Sequence, residues 1–560
     1  MKLDLERVKK YEKWLWLAGC FVLVFVIYGQ TIFGDFVFDD RNIVEHQAML
    51  GDPNQIHKIL SSPFWDQASG LYRPVTLLSY TINYIVFGPS PWGFHLVNLI
   101  LYALLGWLIW LVSKRLFGSR LLAGLTAVLF LVLPVHTEVV ANISGRSEIL
   151  ALGFSLLVFR ELLQERISWW RAGLWALLAM GSKETAIAAA PLAALVVYLK
   201  ERNFSRELFL KYLYPVLVML GGAVLYFGAR FLVLGQQAFM RAQTTIVENP
   251  LQFVATKERV ATAFKVLTMY LQKIFWPLNL CSDYSFNQIP VLKTFWNVEV
   301  LIGIVALMVF ILALVLFCRR QNAIFFAAAI FLFSFLPIAN LVFPTGTIAG
   351  ERLMFYPSLG ICLFAAWLIC HSEAIGRRIY LFITDKILRF AQNDSQKIKE
   401  IFFGKATILT IVLILIIFYG VISFNRAGDW LTEKRLFAAA AVCAPRSVLS
   451  RSNLGAMYYL DGDMANAKRE LLAAQEIYDG YPKGVNNLGL IYWKEGNAEK
   501  ARELFLKALS LPFPFSGAYE NLALMAAQEK NWAEAKDWLL KFYSGDSQAA
   551  EAVIRAYRGW

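Results

Sequence analysis

The sequence predicts an all-α chain in two parts. Residues 1–425 read as a polytopic membrane bundle of about eleven spanning helices with interfacial helices beside them, and residues 426–560 as an α-solenoid. Three observations predict this. Hydrophobic residues make up 58% of the chain and charged residues only 17%, against about 45–50% and about 25% in an ordinary soluble domain. The excess falls in blocks of roughly 18–24 residues, the length a helix needs to cross about 30 Å of hydrocarbon. Lipid offers the backbone no hydrogen bonds, so such blocks must be helical. Beyond residue 426 the blocks stop, and one pattern recurs every 34 residues.

The expected spans are 14–33, 92–113, 121–141, 147–163, 168–181, 185–199, 211–234, 298–318, 323–342, 354–371 and 407–424. The first is long for a signal peptide and no small-x-small cleavage site follows it, so it reads as a retained span. The net charge of +13 is explained by topology rather than by nucleic acid. Basic residues cluster in alternate loops: Arg7, Lys9, Lys10 and Lys13; Lys114, Arg115 and Arg120; Arg166 and Arg171; Lys200, Arg202, Arg206 and Lys211; Arg319 and Arg320; and seven more in 372–406. Positive loops stay in the cytoplasm. The N-terminus is then inside, and eleven spans carry the C-terminal part outside.

Two further apolar stretches, Val75 to Phe87 and Phe264 to Leu280, would break that alternation as full crossings, so each is assigned to a helix that lies in the outer interface or re-enters the membrane. Segment 45–62 is amphipathic and is placed in the interface too. The six cysteines show no metal spacing, and Cys20, Cys318, Cys362 and Cys370 lie in or beside apolar runs.

In the C-terminal part Asn453, Asn487 and Asn521 keep one register, as do Gly462, Gly496 and Lys530, and Ala467, Ala501 and Ala535. A 34-residue period with small residues where two helices touch is the TPR signature. About three repeats are expected, with residues after Gly545 as a capping helix. The concave face of such a stack suits a peptide partner.

Function in a membrane chain is sought where ionisable groups sit at membrane depth or at its edge. Here they gather at the outer ends of spans. Asp35, Asp39 and Asp40 follow the first span in GDFVFDDRNIV; Arg73 precedes an apolar helix; His95 and Asn98 begin the second span. The hairpin LPVHTEVVANISGRSE holds His136, Glu138, Asn142, Arg146 and Glu148, GSKETA holds Lys183 and Glu184, and GERLMFYPS holds Glu351 and Arg352. Each basic residue alone could be an ion pair or a snorkelling anchor. Together they describe fixed cations, suited to phosphate, beside carboxylates suited to activating a hydroxyl. A phosphate at the interface with a long apolar tail is a polyprenyl phosphate. The residues therefore point to group transfer from a lipid-phosphate donor without naming the group.

The segments FVFDDRNIV, YRPVTLLSY, PWGFHLVN, PVHTEVVANISGRSEILA, GSKETA and GERLMFYPSLG, in that order and followed by TPRs, resemble the TMTC group of O-mannosyltransferases and their bacterial relatives, within the GT-C superfamily. The resemblance covers nearly the whole chain. It implies a GT-C-like bundle and an inverting glycosyltransferase that moves a sugar such as mannose from a polyprenyl-phosphate donor, on the non-cytoplasmic side, to a protein or glycan hydroxyl held by the TPRs. It puts the catalytic base on Asp39 or Asp40, without choosing between them. It makes Arg73, His136, Arg146, Lys183 and Arg352 the donor-phosphate residues, with Glu138, Glu184, Glu351 and His95 in support. Metal dependence varies across the superfamily, and no cofactor or metal cluster is read here. Where the family often has a second histidine before the hairpin proline, this chain has Leu133. The short repeat array and the lack of a eukaryotic retention signal lead us to expect a bacterial inner-membrane protein. The competing readings are an envelope scaffold that recruits partners through its repeats, and a transporter. A transporter places ionisable residues at mid-span in repeated halves; here they sit at one end.

Overall fold

The computed structural model describes residues 5–45, 48–65, 70–201, 209–239, 244–320, 323–387 and 405–558. Among them every regular element is a helix. The membrane part comprises α1 (Leu5–Tyr28), α2 (Pro74–Phe87), α3 (Pro91–Phe117), α4 (Arg120–Val132), α5 (Arg146–Leu162), α6 (Trp169–Ser182), α7 (Ala189–Glu201), α8 (Phe209–Leu234), α9 (Thr256–Phe275), α10 (Val298–Phe317), α11 (Ala323–Phe335), α12 (Phe355–Ile387) and α13 (Lys405–Asp429).

A helix stands at each of the eleven expected spans. Six are long and apolar enough to cross a membrane, and seven if the bent pair Arg120–Val132 and Pro134–Ala141 is counted as one. That pair turns by 55° at Pro134, which removes a backbone donor from the helical ladder. The remaining helices, α5, α6, α7 and α11, are shorter and pack among the others. Helix α12 runs past the expected end at 371, so the first half of the expected loop 372–406 is helical; residues 388–404, like Arg202 and Arg206, lie outside the described residues.

The outward faces explain the composition. On α10, Val305, Met308, Val315 and Leu316 are each about 60% exposed. In water such a stripe would drive association; in lipid it is simply solvated. Helices α2 and α9 occupy the two stretches assigned to the interface, and neither meets the length and apolarity of a span.

Beyond α13 come α14 (Glu433–Cys443), then the hairpins α15–α16 (Val448–Leu460, Met464–Ile477), α17–α18 (Pro482–Lys494, Ala498–Ser510) and α19–α20 (Gly517–Gln528, Trp532–Phe542), and a last helix α21 (Ser547–Arg558). The 34-residue register is structural. Ala467, Ala501 and Ala535 are fully buried. Gly462, Gly496 and Lys530 all adopt left-handed φ of 80°, 84° and 59° at the turn. The next residue, Asp463, Asn497 or Asn531, caps the second helix with its side chain.

The C-terminal part is fastened to the membrane part. Cys281 and Cys443 form a disulfide across 162 positions of sequence. Beside it Asn287 N–H donates to Arg446 O at 2.9 Å, and Val448 N–H to Phe286 O at 2.8 Å. Asp283 accepts from the hydroxyls of Ser285, Ser447 and Ser450.

Candidate active site

The loop that follows α1 is pinned from both sides. Asp35 N–H donates to Leu431 O at 2.9 Å, Phe38 N–H reaches Glu433 at 3.3 Å, and Arg41 bonds Glu433 at 2.9 Å. Val37 packs with Ala141, Trp430 and Leu436 in one buried cluster. At Phe38 the backbone takes φ 55°, a left-handed conformation that a bulky side chain adopts only when its surroundings enforce it. The Phe38 ring lies edge-on to Phe437, with centroids 5.9 Å apart.

This turn separates the two aspartates. Asp40 is fully buried and accepts from Ile143 N–H at 3.0 Å and Ser144 N–H at 2.7 Å. It tethers the loop to the hairpin between α4 and α5. Asp39 keeps 17% of its side chain exposed and meets Arg352 Nη1 at 3.3 Å. Burial pushes the Asp39 carboxyl above the ordinary range, against Arg352 and, further off, Arg73. Burial pushes Asp40 up to about 8, against the amides of Ser144 and Ile143.

Arg352 is shared. Its Nη1 also lies 3.3 Å from Glu138, whose second oxygen accepts Arg352 N–H at 3.0 Å. Nearby, Arg73 grips Glu184 through two bonds, at 3.1 and 2.7 Å. Pro74 opens α2 and keeps Arg73 out of the helix. Lys183 leaves α6 in an extended conformation, φ −158° and ψ 138°, and neighbouring side chains there point to opposite sides. Lys183 accordingly pairs with Glu148 while Glu184 turns to Arg73. Burial alone would raise Glu184, but Arg73 and Lys183 hold it at about 2. Asp39, Arg352, Glu138, Lys183, Glu148, Arg73 and Glu184 thus form one electrostatic group.

Four expected residues stand elsewhere. Arg146 is enclosed, with Nε on Asn98 at 2.7 Å, Nη2 on Asn83 and on Phe94 O at 2.9 Å, and Nη1 on Ser79 O at 3.2 Å. Its guanidinium stacks over Tyr80 at 4.8 Å. Those contacts leave no room for a phosphate on it. His136 is equally enclosed, with Nε2 2.7 Å from Ser358 Oγ and Nδ1 2.9 Å from Phe130 O. Glu351 is buried under the disulfide loop, accepting from Cys281 N–H at 2.5 Å and Tyr284 at 2.6 Å, with Arg426 at 3.5 Å. His95 is buried, its Nε2 3.4 Å from Asp35 O. Of the residues expected at the donor phosphate, the structure therefore does not bring all together. Arg352 and Lys183 belong to the group around Asp39, whereas Arg146 and His136 are enclosed by partners outside it. The ANISGR segment builds the joint itself, and Gly145 is required there because a Cβ would lie 2.2 Å from Val139 O.

Sequence reasoning missed Glu433 as the clamp on the loop and the Cys281–Cys443 bridge. A signal for the bridge existed: these are the two cysteines outside the expected spans. Among the described residues no trio of His, Cys, Asp or Glu is arranged to share a cation. Beside the site, a cleft of about 570 Å³ opens between Asp35, Arg41, Glu45, Tyr84 and Glu433.

Residues 73–227 match the family model for dolichyl-phosphate-mannose-protein mannosyltransferase, and residues 239–312 match that for protein O-mannosyl-transferase TMTC, DUF1736. Protein O-mannosyl-transferase F38B6.6 of Caenorhabditis elegans is 27% identical over 473 residues, 82% of this chain and 62% of its own length. Tmtc1 of Drosophila melanogaster is 24% identical over 553 residues, 81% and 60%. TMTC3 of Mus musculus is 24% identical over 396 residues, 64% and 42%. The chain spans between 42% and 62% of the length of these curated relatives. Together with its apolar helices, these matches mark a multi-pass membrane protein that is similar to the TMTC O-mannosyl-transferases.

Proposed function

We propose that this chain is a glycosyltransferase that moves a sugar, mannose as in its relatives' names, from a polyprenyl-phosphate donor to a hydroxyl acceptor. The reaction takes place on the non-cytoplasmic side of the membrane. Asp39 is the general base. One observation carries the reading: of the two adjacent aspartates, Asp39 alone is open to a substrate, and it faces a cation.

In the step proposed, the acceptor oxygen attacks C1 of the sugar from the side opposite the phosphate. Its proton passes to the Asp39 carboxylate. The C1–O bond to phosphate breaks, and the electron pair leaves with the phosphate. Configuration at C1 inverts, with no covalent enzyme intermediate. Arg352, Arg73 and Lys183 stabilise the charge that grows on the leaving group, which preorganised donors do best where water is scarce. Asp40 anchors the loop that presents Asp39. The boundary at about residue 426 separates this catalytic part from the repeats, which hold the acceptor. The bridge Cys281–Cys443 supports the outward orientation, because disulfides persist in oxidising compartments.

The test is donor consumption by the purified full-length protein in lipid nanodiscs supplied with polyprenyl-phosphate mannose and a Ser/Thr peptide. Release of polyprenyl phosphate that depends on Asp39 is expected. Wild-type protein that leaves the donor intact while remaining folded would overturn the reading and favour the scaffold alternative.

A further inference from the structure

Each cation around Asp39 already has a carboxylate: Arg73 has Glu184, Lys183 has Glu148, and Arg352 has Asp39 and Glu138. A phosphate entering such a group, in which four carboxylates meet three cations, must displace a carboxylate, which limits how tightly it is held. A further cation stands at the adjacent helix. Arg230 lies near the end of α8, four residues after Tyr226 and therefore on the same face. The Tyr226 hydroxyl donates to Tyr72 O at 2.8 Å, immediately before Arg73, and the Tyr72 and Tyr226 rings stack 6.1 Å apart. Glu184, Arg230 and Arg73 all act on that hydroxyl. The joint that positions Arg73 thus also positions Arg230.

The Arg230 guanidinium rests over Phe227 at 5.8 Å, and Nη2 donates to Gly70 O at 2.7 Å. Its Nε is buried and has no acceptor, and among the described residues no carboxylate pairs with it. A buried donor without an acceptor costs stability that an anionic oxygen would restore. The same stretch of α8 turns Leu225 and Leu232 outward, 64% and 85% exposed, where an apolar chain would lie.

We infer that Arg230, together with Arg73, forms a subsite for the monophosphate of a lipid-linked donor at the α8 edge of the cluster. This rests on the reading of the chain as a lipid-phosphate-dependent transferase and adds a residue that the sequence motifs did not reveal.

The experiment measures equilibrium binding to the full-length protein in phosphatidylcholine nanodiscs, using a polyprenyl monophosphate without sugar as the probe. Phosphatidylglycerol and an uncharged polyprenol are the comparison ligands. Arg230→Gln should weaken polyprenyl monophosphate about tenfold or more, as loss of a charge-assisted contact predicts. Arg230→Lys, which keeps the charge but loses the fork, should fall between the two. The uncharged polyprenol should bind both variants as it binds the wild type. Unchanged monophosphate affinity in both folded variants overturns the subsite. An equal loss for phosphatidylglycerol overturns the donor as its occupant and assigns the site to a phospholipid headgroup. Asp39→Asn serves as the separate control. If it transfers sugar normally while Arg230→Gln still loses monophosphate, the catalytic reading fails and the subsite stands.

Discussion

Arg352 Nη1 lies 3.3 Å from Asp39 Oδ2 and the same distance from Glu138 Oε1, so one cation holds two carboxylates from different loops. Asp40, one residue on, faces away onto the amides of Ile143 and Ser144. Two adjacent, chemically identical side chains therefore have different surroundings, and variants should separate them.

Asp39→Asn keeps the shape and removes the base. General-base assistance is worth about 10²–10⁴ in rate, so turnover should fall at least about a hundredfold with thermal stability unchanged. Asp40→Asn should do the reverse. An amide can accept from only one of the two N–H groups, which costs about 1–3 kcal/mol, seen as a lower Tm. Normal transfer by Asp39→Asn would remove the catalytic assignment.

The pH dependence has a defined sign. As the proposed base, Asp39 acts only when ionised, and burial raises its pKa above the ordinary carboxylate range. The transfer rate should therefore fall on acidification, with a midpoint above that range. Arg352 pulls this pKa down. Arg352→Gln should move the midpoint to higher pH as well as slow the reaction. A rate profile with the same midpoint in both proteins would argue against Asp39 as the titrating base.

Arg146 and Arg352 should fail differently. Arg146→Gln abandons Asn98, Asn83 and two backbone carbonyls in a sealed interior, a loss of roughly 2–5 kcal/mol. Arg352→Gln should leave the Tm within a few degrees and lower turnover. Differential scanning fluorimetry beside the transfer assay distinguishes the two.

The disulfide gives a topology test. Protein purified without reductant should resist alkylation at Cys281 and Cys443 until reduced, and Cys281→Ser should lower stability by about 2–5 kcal/mol. Gly480→Cys should be labelled by an impermeant thiol reagent on intact cells. Labelling there only after lysis would place the repeats in the cytoplasm.

In the repeats, Ala501 is fully buried between α17 and α18, where α18 meets Leu488 and Ile491. Ala501→Trp should overpack that contact and destabilise by roughly 1–3 kcal/mol, read from thermal unfolding of the full chain. Unaltered unfolding would count against close packing at this register.

The sequence by itself determined the helices and the order of the parts. Apolar blocks and a 34-residue period are local and repetitive, so they survive in one dimension, and the solvent that surrounds each face enforces them. It also marked the loops that hold the charged group around Asp39, because charges beside lipid are costly anywhere in a fold. Only the tertiary structure decided which charges are available. Asp39 opens and Asp40 closes because Phe38 adopts a left-handed turn against Phe437, and because two amides about a hundred residues away, at Ile143 and Ser144, collect the second carboxylate. Arg146 and His136 sit in the same sequence motif as Glu138, yet their partners come from α2, α3 and α12 and enclose them. Burial is a property of packing between distant segments, and no local pattern of residues records it.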